Sequence, residues 1–429
     1  MKVAITTLGC KVNSYESEAV ITKLEELGYT RTEFNGYSDI YIINTCMVTN
    51  TGEAKSRKMI RHPLKFNENA IVIVMGCLTQ LKAEEILEIP GVKIVLGTSN
   101  RELIPTYIEE FLQNHIPLNK VKKLMTNEPY DHLEIKDFKT HQRAFLKIQD
   151  GCNNFCTYCI IPYTRGRVRS KTKDQVLSEA RTLVAKGHLE IILTGIHTGG
   201  YGEDLTNYSF ADLLMDLEEV EGLKRIRISS IEITELTDQV IDIIASSSKI
   251  VNHLHIPLQS GSNRVLKLMN RKYQLVDYEK KITSLRNQVP NLAITTDVIV
   301  GFPTETEEDF LEMVEFIKKI QFSELHIFPY SKRTGTVASK MTGEVSPDVK
   351  KERVNKLISL NTELAKKFIS SQLFITQNVI VETAKNGDLS GHTANYIHVQ
   401  FQGNADLVGK LVKVQIIEEK YPESISKLL

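Results

Sequence analysis

The chain has 429 residues, 41% of them hydrophobic and 25% charged, with 53 basic residues balancing 53 acidic ones. That length predicts two to four domains, and the composition excludes a disordered or fibrous protein. Zero formal charge neither demands nor excludes a nucleic-acid partner, and no apolar run of about eighteen residues is present to span a membrane.

The N-terminus "MKVAITTLGC" runs directly into a strand pattern, without an apolar leader or cleavage site, so a cytoplasmic location is expected. Thiols stay reduced there, and a chain of this size needs no covalent staples. The six cysteines therefore read as metal or cluster ligands rather than disulfides. The first strand pattern, "KVAITTLGC", is followed by "SYESEAVITKLEELGY", where Ala19, Val20, Leu24 and Leu27 recur at helical spacing and Gly28 supplies the stop. The unit returns in "DIYIINTC", ending at Cys46, and in "AIVIVMGC", ending at Cys77; "GVKIVLGT" is a fourth strand without a cysteine. Alternating strands and helices predict an α/β domain over residues 1–113 with a doubly wound parallel sheet. In such sheets the carboxyl ends of the strands converge on one edge, so Cys10, Cys46 and Cys77 are expected to meet there. The plain alternative makes them three small buried hydrophobes.

Residues 114–137 are polar and weakly patterned and read as a linker. From "RAFLKIQDGC" a second series begins, continuing through "EIILTGIHTGG", "RIRISSIE", "HLHIPLQSGS", "AITTDVIVGFPTE" and "ELHIFPYS", with helical stretches such as "DQVLSEARTLVAKG" and "EEDFLEMVEFIKKI" between them. Six β/α units over residues 138–368 suggest a barrel or partial barrel, with its chemistry at the strand carboxyl ends. Over residues 369–429, "FITQNVIVETA", "YIHVQFQG" and "GKLVKVQIIE" alternate with period two, as in a small antiparallel β-barrel of the OB-like kind.

Half the cysteines lie in "GCNNFCTYCI", where Cys152, Cys156 and Cys159 form CxxxCxxC. A structural zinc needs four ligands, and His141 or His197 could supply the fourth. An iron–sulfur cubane normally takes four thiolates; with three, one iron keeps an open position where a substrate can bind.

CxxxCxxC after the first strand of such a series, with Tyr158 before the last cysteine, resembles the radical S-adenosylmethionine (SAM) superfamily. Together, "LGCKVN", "NTCMVT", "MGCLTQ" and "CTYCIIPYTRGRVRS" resemble the radical SAM methylthiotransferases, and the likeness spans nearly the whole chain. The resemblance implies a [4Fe–4S] cluster on Cys152, Cys156 and Cys159 that binds SAM and cleaves it to a 5′-deoxyadenosyl radical. It implies a second [4Fe–4S] cluster on Cys10, Cys46 and Cys77 that carries the sulfur, a central radical SAM (β/α)6 partial barrel and a C-terminal TRAM domain. A low-potential donor, flavodoxin or ferredoxin, is implied as well. By the same resemblance Thr194, Gly195, Ser229, Glu232, His255, Gln259, Asp297 and Gly301 are expected to hold SAM, although glycines and serines also simply end strands.

Of the family's branches, "TTLGCKVN", "LTGIHTGGYG" and "FPYSKRTGT" look most like the MtaB type, which acts on N6-threonylcarbamoyladenosine at tRNA position 37. The alternatives are isopentenyl-adenosine in tRNA, a ribosomal-protein aspartate, or a non-enzymatic iron–sulfur protein that binds RNA or transfers electrons. With a tRNA substrate, Arg165, Arg167 and Arg169 are expected to meet phosphates or a carboxylate; the alternative is a solvated charged face. Two departures from the branch's pattern are Ser14, where Gln is common, and Thr304, where Gly is common.

Overall fold

The structure, a computed structural model, describes residues 1–124, 130–131, 133–138 and 141–429. Residues 125–129 and 132 of the expected linker, and 139–140 at the start of the expected central domain, lie outside the described residues. Two compact units result. One comprises Met1–Lys136, Gln149–Lys171 and Ser331–Thr336; the other comprises Asp137–Ile148, Thr172–Tyr330 and Val337–Leu429.

The first unit is built on a six-stranded parallel sheet of β1 (Lys2–Thr7), β2 (Thr30–Arg31), β3 (Ile40–Thr45), β4 (Ile71–Gly76), β5 (Val92–Val95) and β6 (Leu118–Asn119). Its order, β2-β1-β3-β4-β5-β6, is doubly wound, and the direction of winding switches between β1 and β3. Every residue of β3 and β4 is buried, as parallel strands covered on both faces should be. The main helices are α1 (Lys11–Glu26), α2 (Asn50–Arg61), α3 (Cys77–Leu87) and α4 (Ile104–Asn114). In α1, Ala19, Val20 and Leu24 are buried as the spacing predicts, but Leu27 lies beyond the helix end and is exposed. β7 (Ala144–Lys147) belongs to the second unit; the first resumes with β8 (Gln149–Asp150), α5 (Ile161–Arg165) and β9 (Arg169–Ser170).

In the second unit, six parallel strands follow one another: β7, β10 (Glu190–Thr194), β11 (Arg225–Ile228), β12 (His253–His255), β13 (Ala293–Val300) and β14 (Glu324–Pro329). They form two three-stranded sheets, joined through the parallel bridges Ile226–Ile250 and Ser230–His255. Helices α6 (Lys173–Ala185), α7 (Phe210–Glu218), α8 (Asp238–Ser246), α9 (Asn263–Leu268), α10 (Leu275–Gln288) and α11 (Glu307–Ile320) alternate with these strands, and α12 (Pro347–Ser370) follows the last. Alternation along the strands separates two faces. Leu254, Ile294, Val298 and Leu325 join the helices' Tyr278, Phe310, Met313 and Leu357 in one core, so the intervening residues face the lumen. This is the partial (β/α)6 barrel the pattern predicts.

The chain ends in a closed five-stranded barrel of β15 (Thr376–Lys385), β16 (Asp388–Thr393), β17 (His398–Gln402), β18 (Leu411–Glu418) and β19 (Ser424–Leu428), ordered β15-β16-β17-β19-β18. The parallel β17–β19 pair and this order are those of an OB-like Greek-key barrel. It docks on lumenal arginines of β11: Arg227 donates to the carbonyls of Thr393 and Ala394 at 3.3 Å, and its Nε to Glu190 at 2.7 Å. The alternation "RIRI" therefore serves packing: the isoleucines fill the helix-facing core while the arginines hold the small barrel.

Thr304 stands at φ +69°, a left-handed conformation costly for a β-branched residue. A glycine would adopt that conformation without the cost.

Candidate cluster and cofactor sites

In the first unit, three strand ends present the first cysteine triad. Cys10 is the N-cap of α1 after β1, Cys46 follows β3, and Cys77 opens α3 directly after β4. Gly9, at φ +108°, lets the chain turn against Cys46; a Cβ there would sit 3.0 Å from the Cys46 Sγ. The three thiols lie within electrostatic reach of one another. Burial pushes the Cys46 thiol up to about 11, and Cys77 and Cys10 push in the same direction. Thiols so disposed become ligands when a metal displaces their protons. None of the six cysteines forms a disulfide.

The second triad lies in the same unit. The antiparallel pairs Gln149–Ser170 and Asp150–Arg169 close a loop that carries Cys152, Cys156 and Cys159, all half-buried. The Cys152 amide donates to Gly166 O at 3.0 Å, the Cys159 amide to Cys156 O at 2.9 Å, and the Asn154 amide to the Cys152 Sγ at 3.4 Å. Gly151 precedes the loop at φ +75°, where a Cβ would fall 1.8 Å from Arg167 O. Each triad thus offers three soft donors and no fourth cysteine, a donor set suited to an iron–sulfur cubane with one open iron. The histidines considered as zinc ligands are engaged within the second unit: His197 pairs with Glu235, and His141 packs against Phe138 and Phe145.

The basic run after the second triad is not one surface. Arg165 is fully buried: its Nη1 donates to Glu16 Oε1 at 2.6 Å and Asp150 at 3.2 Å, and its Nη2 to Asn13 Oδ1 at 2.7 Å. Arg101, also buried, binds the other Glu16 oxygen at 2.5 Å and Asp131 at 3.2 Å. Arg169 is nearly buried, 3.6 Å from Asp150. Arg165 and Arg169 therefore cannot serve as phosphate contacts, because carboxylates of their own unit already neutralise them. Arg167 alone of the three is exposed, its guanidinium 4.4 Å from the centre of the Phe155 ring. Arg165 is also an electrostatic neighbour of Cys46, lowering the cost of negative charge there. Sequence reasoning missed Glu16 and Asp150. A signal existed, since Asn13 and Glu16 lie one turn apart on a helix face that Val12, Ala19, Val20 and Leu24 make apolar.

The residues expected to hold SAM all fall in the second unit, most at strand carboxyl ends. Thr194 ends β10, its hydroxyl bonded to Ile192 O and its carbonyl to the Ile148 amide; Gly195 follows it. Ser229 follows β11 and lies 3.3 Å from the Thr198 hydroxyl, while Glu232 pairs with Arg271. Gln259 holds φ +65° and donates its amide to Asp297 O at 2.8 Å, an unusual backbone state of the kind that gathers at functional sites. Gly301 follows β13 at φ +71° and donates its backbone amide to Glu305. His255 and Asp297 meet side by side with His326, which sequence reasoning did not single out.

Comparison with known proteins matches residues 146–317 to the Radical SAM superfamily and residues 2–97 to a family described as Uncharacterized protein family UPF0004. The chain is 50% identical over 98% of its length, and 94% of the relative's, to the threonylcarbamoyladenosine tRNA methylthiotransferase MtaB of Bacillus subtilis. It is 38% identical over 97% of its length, and 96% of the relative's, to a tRNA-2-methylthio-N(6)-dimethylallyladenosine synthase of Carboxydothermus hydrogenoformans. Among solved structures, the radical SAM methyltransferase TsrM of Kitasatospora setae superposes with a TM-score of 0.59 at 12% identity, covering 79% of this chain and 77% of that one, a likeness of fold. With both triads in place and its sequence aligned from end to end with such relatives, the chain belongs to the radical SAM methylthiotransferase family.

Proposed function

We propose that this protein adds a methylthio group at C2 of N6-threonylcarbamoyladenosine at position 37 of tRNA. It would use two [4Fe–4S] clusters, SAM and a flavodoxin- or ferredoxin-type donor. One observation carries the reading: two cysteine triads within one compact unit, each a thiolate short of closing a cubane. The 50% identity to the Bacillus subtilis relative, against 38% to the dimethylallyladenosine type, supports the choice of nucleoside.

Bound at the triads, the clusters supply a low-potential electron for SAM cleavage and the sulfur to be transferred. Cys152, Cys156 and Cys159 hold the first cluster, and the Asn154 amide stabilises negative charge on the Cys152 sulfur. Cys10, Cys46 and Cys77 hold the second, with Arg165 as a fixed positive charge nearby. Arg167, the exposed member of the basic run, is the one that would meet a tRNA phosphate, and the C-terminal five-stranded barrel is read as the TRAM domain that helps grip the tRNA.

Anaerobic incubation with SAM, a strong reductant and tRNA carrying threonylcarbamoyladenosine should yield the methylthiolated nucleoside. tRNA carrying isopentenyl-adenosine should stay unmodified. Methylthiolation of the latter tRNA, or of a ribosomal-protein aspartate, in place of the former would overturn the assignment.

A further inference from the structure

After β14 the chain enters the first unit again over Ser331–Thr336, a strap tied to the turn that follows Cys46. The Ser331 hydroxyl accepts from the Asn50 amide at 3.3 Å, and a Cβ on Gly335 would sit 3.8 Å from Cδ1 of Ile160, the residue after Cys159. Arg333, within the strap, is only 5% exposed. Its Nε donates to Val48 O at 3.2 Å, and its Nη1 pairs with Glu53 at 3.2 Å. Its Nη2 is buried and has no hydrogen-bond partner among the described residues. Cys46 lies within electrostatic reach of the same guanidinium. A buried charged donor left unused is costly, and so points to an acceptor of negative charge beside it. We propose that Arg333 is a positioning residue for a cluster at the strand-end triad, Cys10, Cys46 and Cys77: it fixes the Cys46 turn through Val48 and supplies positive charge that raises the cluster's reduction potential. This rests on the reading that the triad holds a [4Fe–4S] cluster.

The charges around Arg333 do not cancel. Glu53 also binds Lys82 at 2.7 Å and Arg57 at 3.3 Å, and Glu85 binds Arg57 at 2.7 Å, so three cations share two carboxylates. Arg165 differs, being bonded to both Glu16 and Asp150. Three thiolates make a cubane anionic and reduction adds to that charge, so a fixed cation nearby favours the reduced form. Water screens a buried cation far less than an exposed one. The strap acts on a ligand as well. The Val48 backbone donates a hydrogen bond to the Cys46 sulfur, and the bond from Arg333 to the Val48 carbonyl holds that segment in place. An arginine that only tied the strap down would leave the potential where it was.

The test uses the full-length chain with Cys152, Cys156 and Cys159 changed to Ala, reconstituted anaerobically so that the strand-end triad alone loads, with about four irons. The midpoint potential is read from the EPR signal of the reduced cluster in a dye-mediated titration. Arg333→Gln should lower the midpoint by about 59 mV, a tenfold change in the one-electron equilibrium constant, at unchanged iron content. Glu53 keeps Lys82 and Arg57 in that variant, so no carboxylate is stranded. Arg333→Lys keeps the charge and should fall between Arg333→Gln and the parent. Glu53→Gln removes a neutralising carboxylate and should move the midpoint upward, a change of sign that a loosened fold does not produce. If Arg333→Gln fails to hold iron, Glu53→Gln decides. An unchanged midpoint in iron-loaded Arg333→Gln, or a midpoint in Glu53→Gln that stays put or falls, would overturn the role of Arg333 alone. A parent chain that loads no iron at the strand-end triad would overturn the cluster reading itself, and this role with it.

Discussion

Changing Cys10, Cys46 and Cys77 together to Ala should leave reductant-dependent formation of 5′-deoxyadenosine while abolishing methylthiolated tRNA. On the proposed assignment, SAM cleavage would need only the cluster held by Cys152, Cys156 and Cys159, whereas sulfur delivery would need the one held by the strand-end triad. The variant should keep about four of about eight irons, one cubane of two. Changing Cys156 alone should abolish both activities, because a cubane left with two thiolates loses its defined open position. The strand ends also bear on folding, since Cys77 is buried in the sheet's core. Circular dichroism and the retained iron separate lost chemistry from lost structure. A folded triple variant that still makes methylthiolated product at the wild-type rate would remove the second cluster from the account.

The second large effect concerns Arg165. Its replacement by Ala should destabilise the first unit by about 3–5 kcal/mol, since the Glu16 and Asp150 carboxylates would stay buried without their guanidinium partner. Iron retention should fall at both triads: Arg165 closes the helix after Cys159 and its other end meets Asn13, three residues past Cys10. Arg167→Gln is the contrasting variant. Stability should change by less than about 0.5 kcal/mol, while the log K against log salt slope for tRNA should flatten by roughly 0.7–0.9. Urea denaturation and salt-dependent tRNA binding decide between them. Arg165→Ala as stable as wild type, or Arg167→Gln with an unchanged slope, would contradict the division between a buried arginine and a phosphate-facing one.

Much of this was legible in the sequence, for a physical reason. Strand-ending cysteines in "INTC" and "VMGC" declare themselves because strand, turn and ligand are contiguous, and parallel topology then brings them to one edge. The CxxxCxxC loop is local for the same reason. Charge runs are not legible in this way: "TRGRVRS" reads identically whether its arginines face water or carboxylates, and Glu16 lies 149 residues from Arg165. Strand β16, "DLSGHT", escaped because backbone proximity selects it rather than apolar alternation. A Cβ on Gly391 would lie 2.1 Å from Ile380 O. His326 escaped because "ELHIFP" carries a single lumenal histidine, whose partners come from two other strands.

The central claim is the nucleoside. Mass spectrometry of tRNA nucleosides from a strain lacking this protein tests it most directly, with the wild-type gene and the triple Cys10/Cys46/Cys77→Ala gene restored in turn. The account predicts that the methylthio form of threonylcarbamoyladenosine disappears, its unmethylthiolated precursor accumulates, and methylthio-isopentenyl-adenosine is untouched. Only the wild-type gene should bring the lost nucleoside back. Persistence of methylthio-threonylcarbamoyladenosine, or loss of the isopentenyl form in its place, would contradict it.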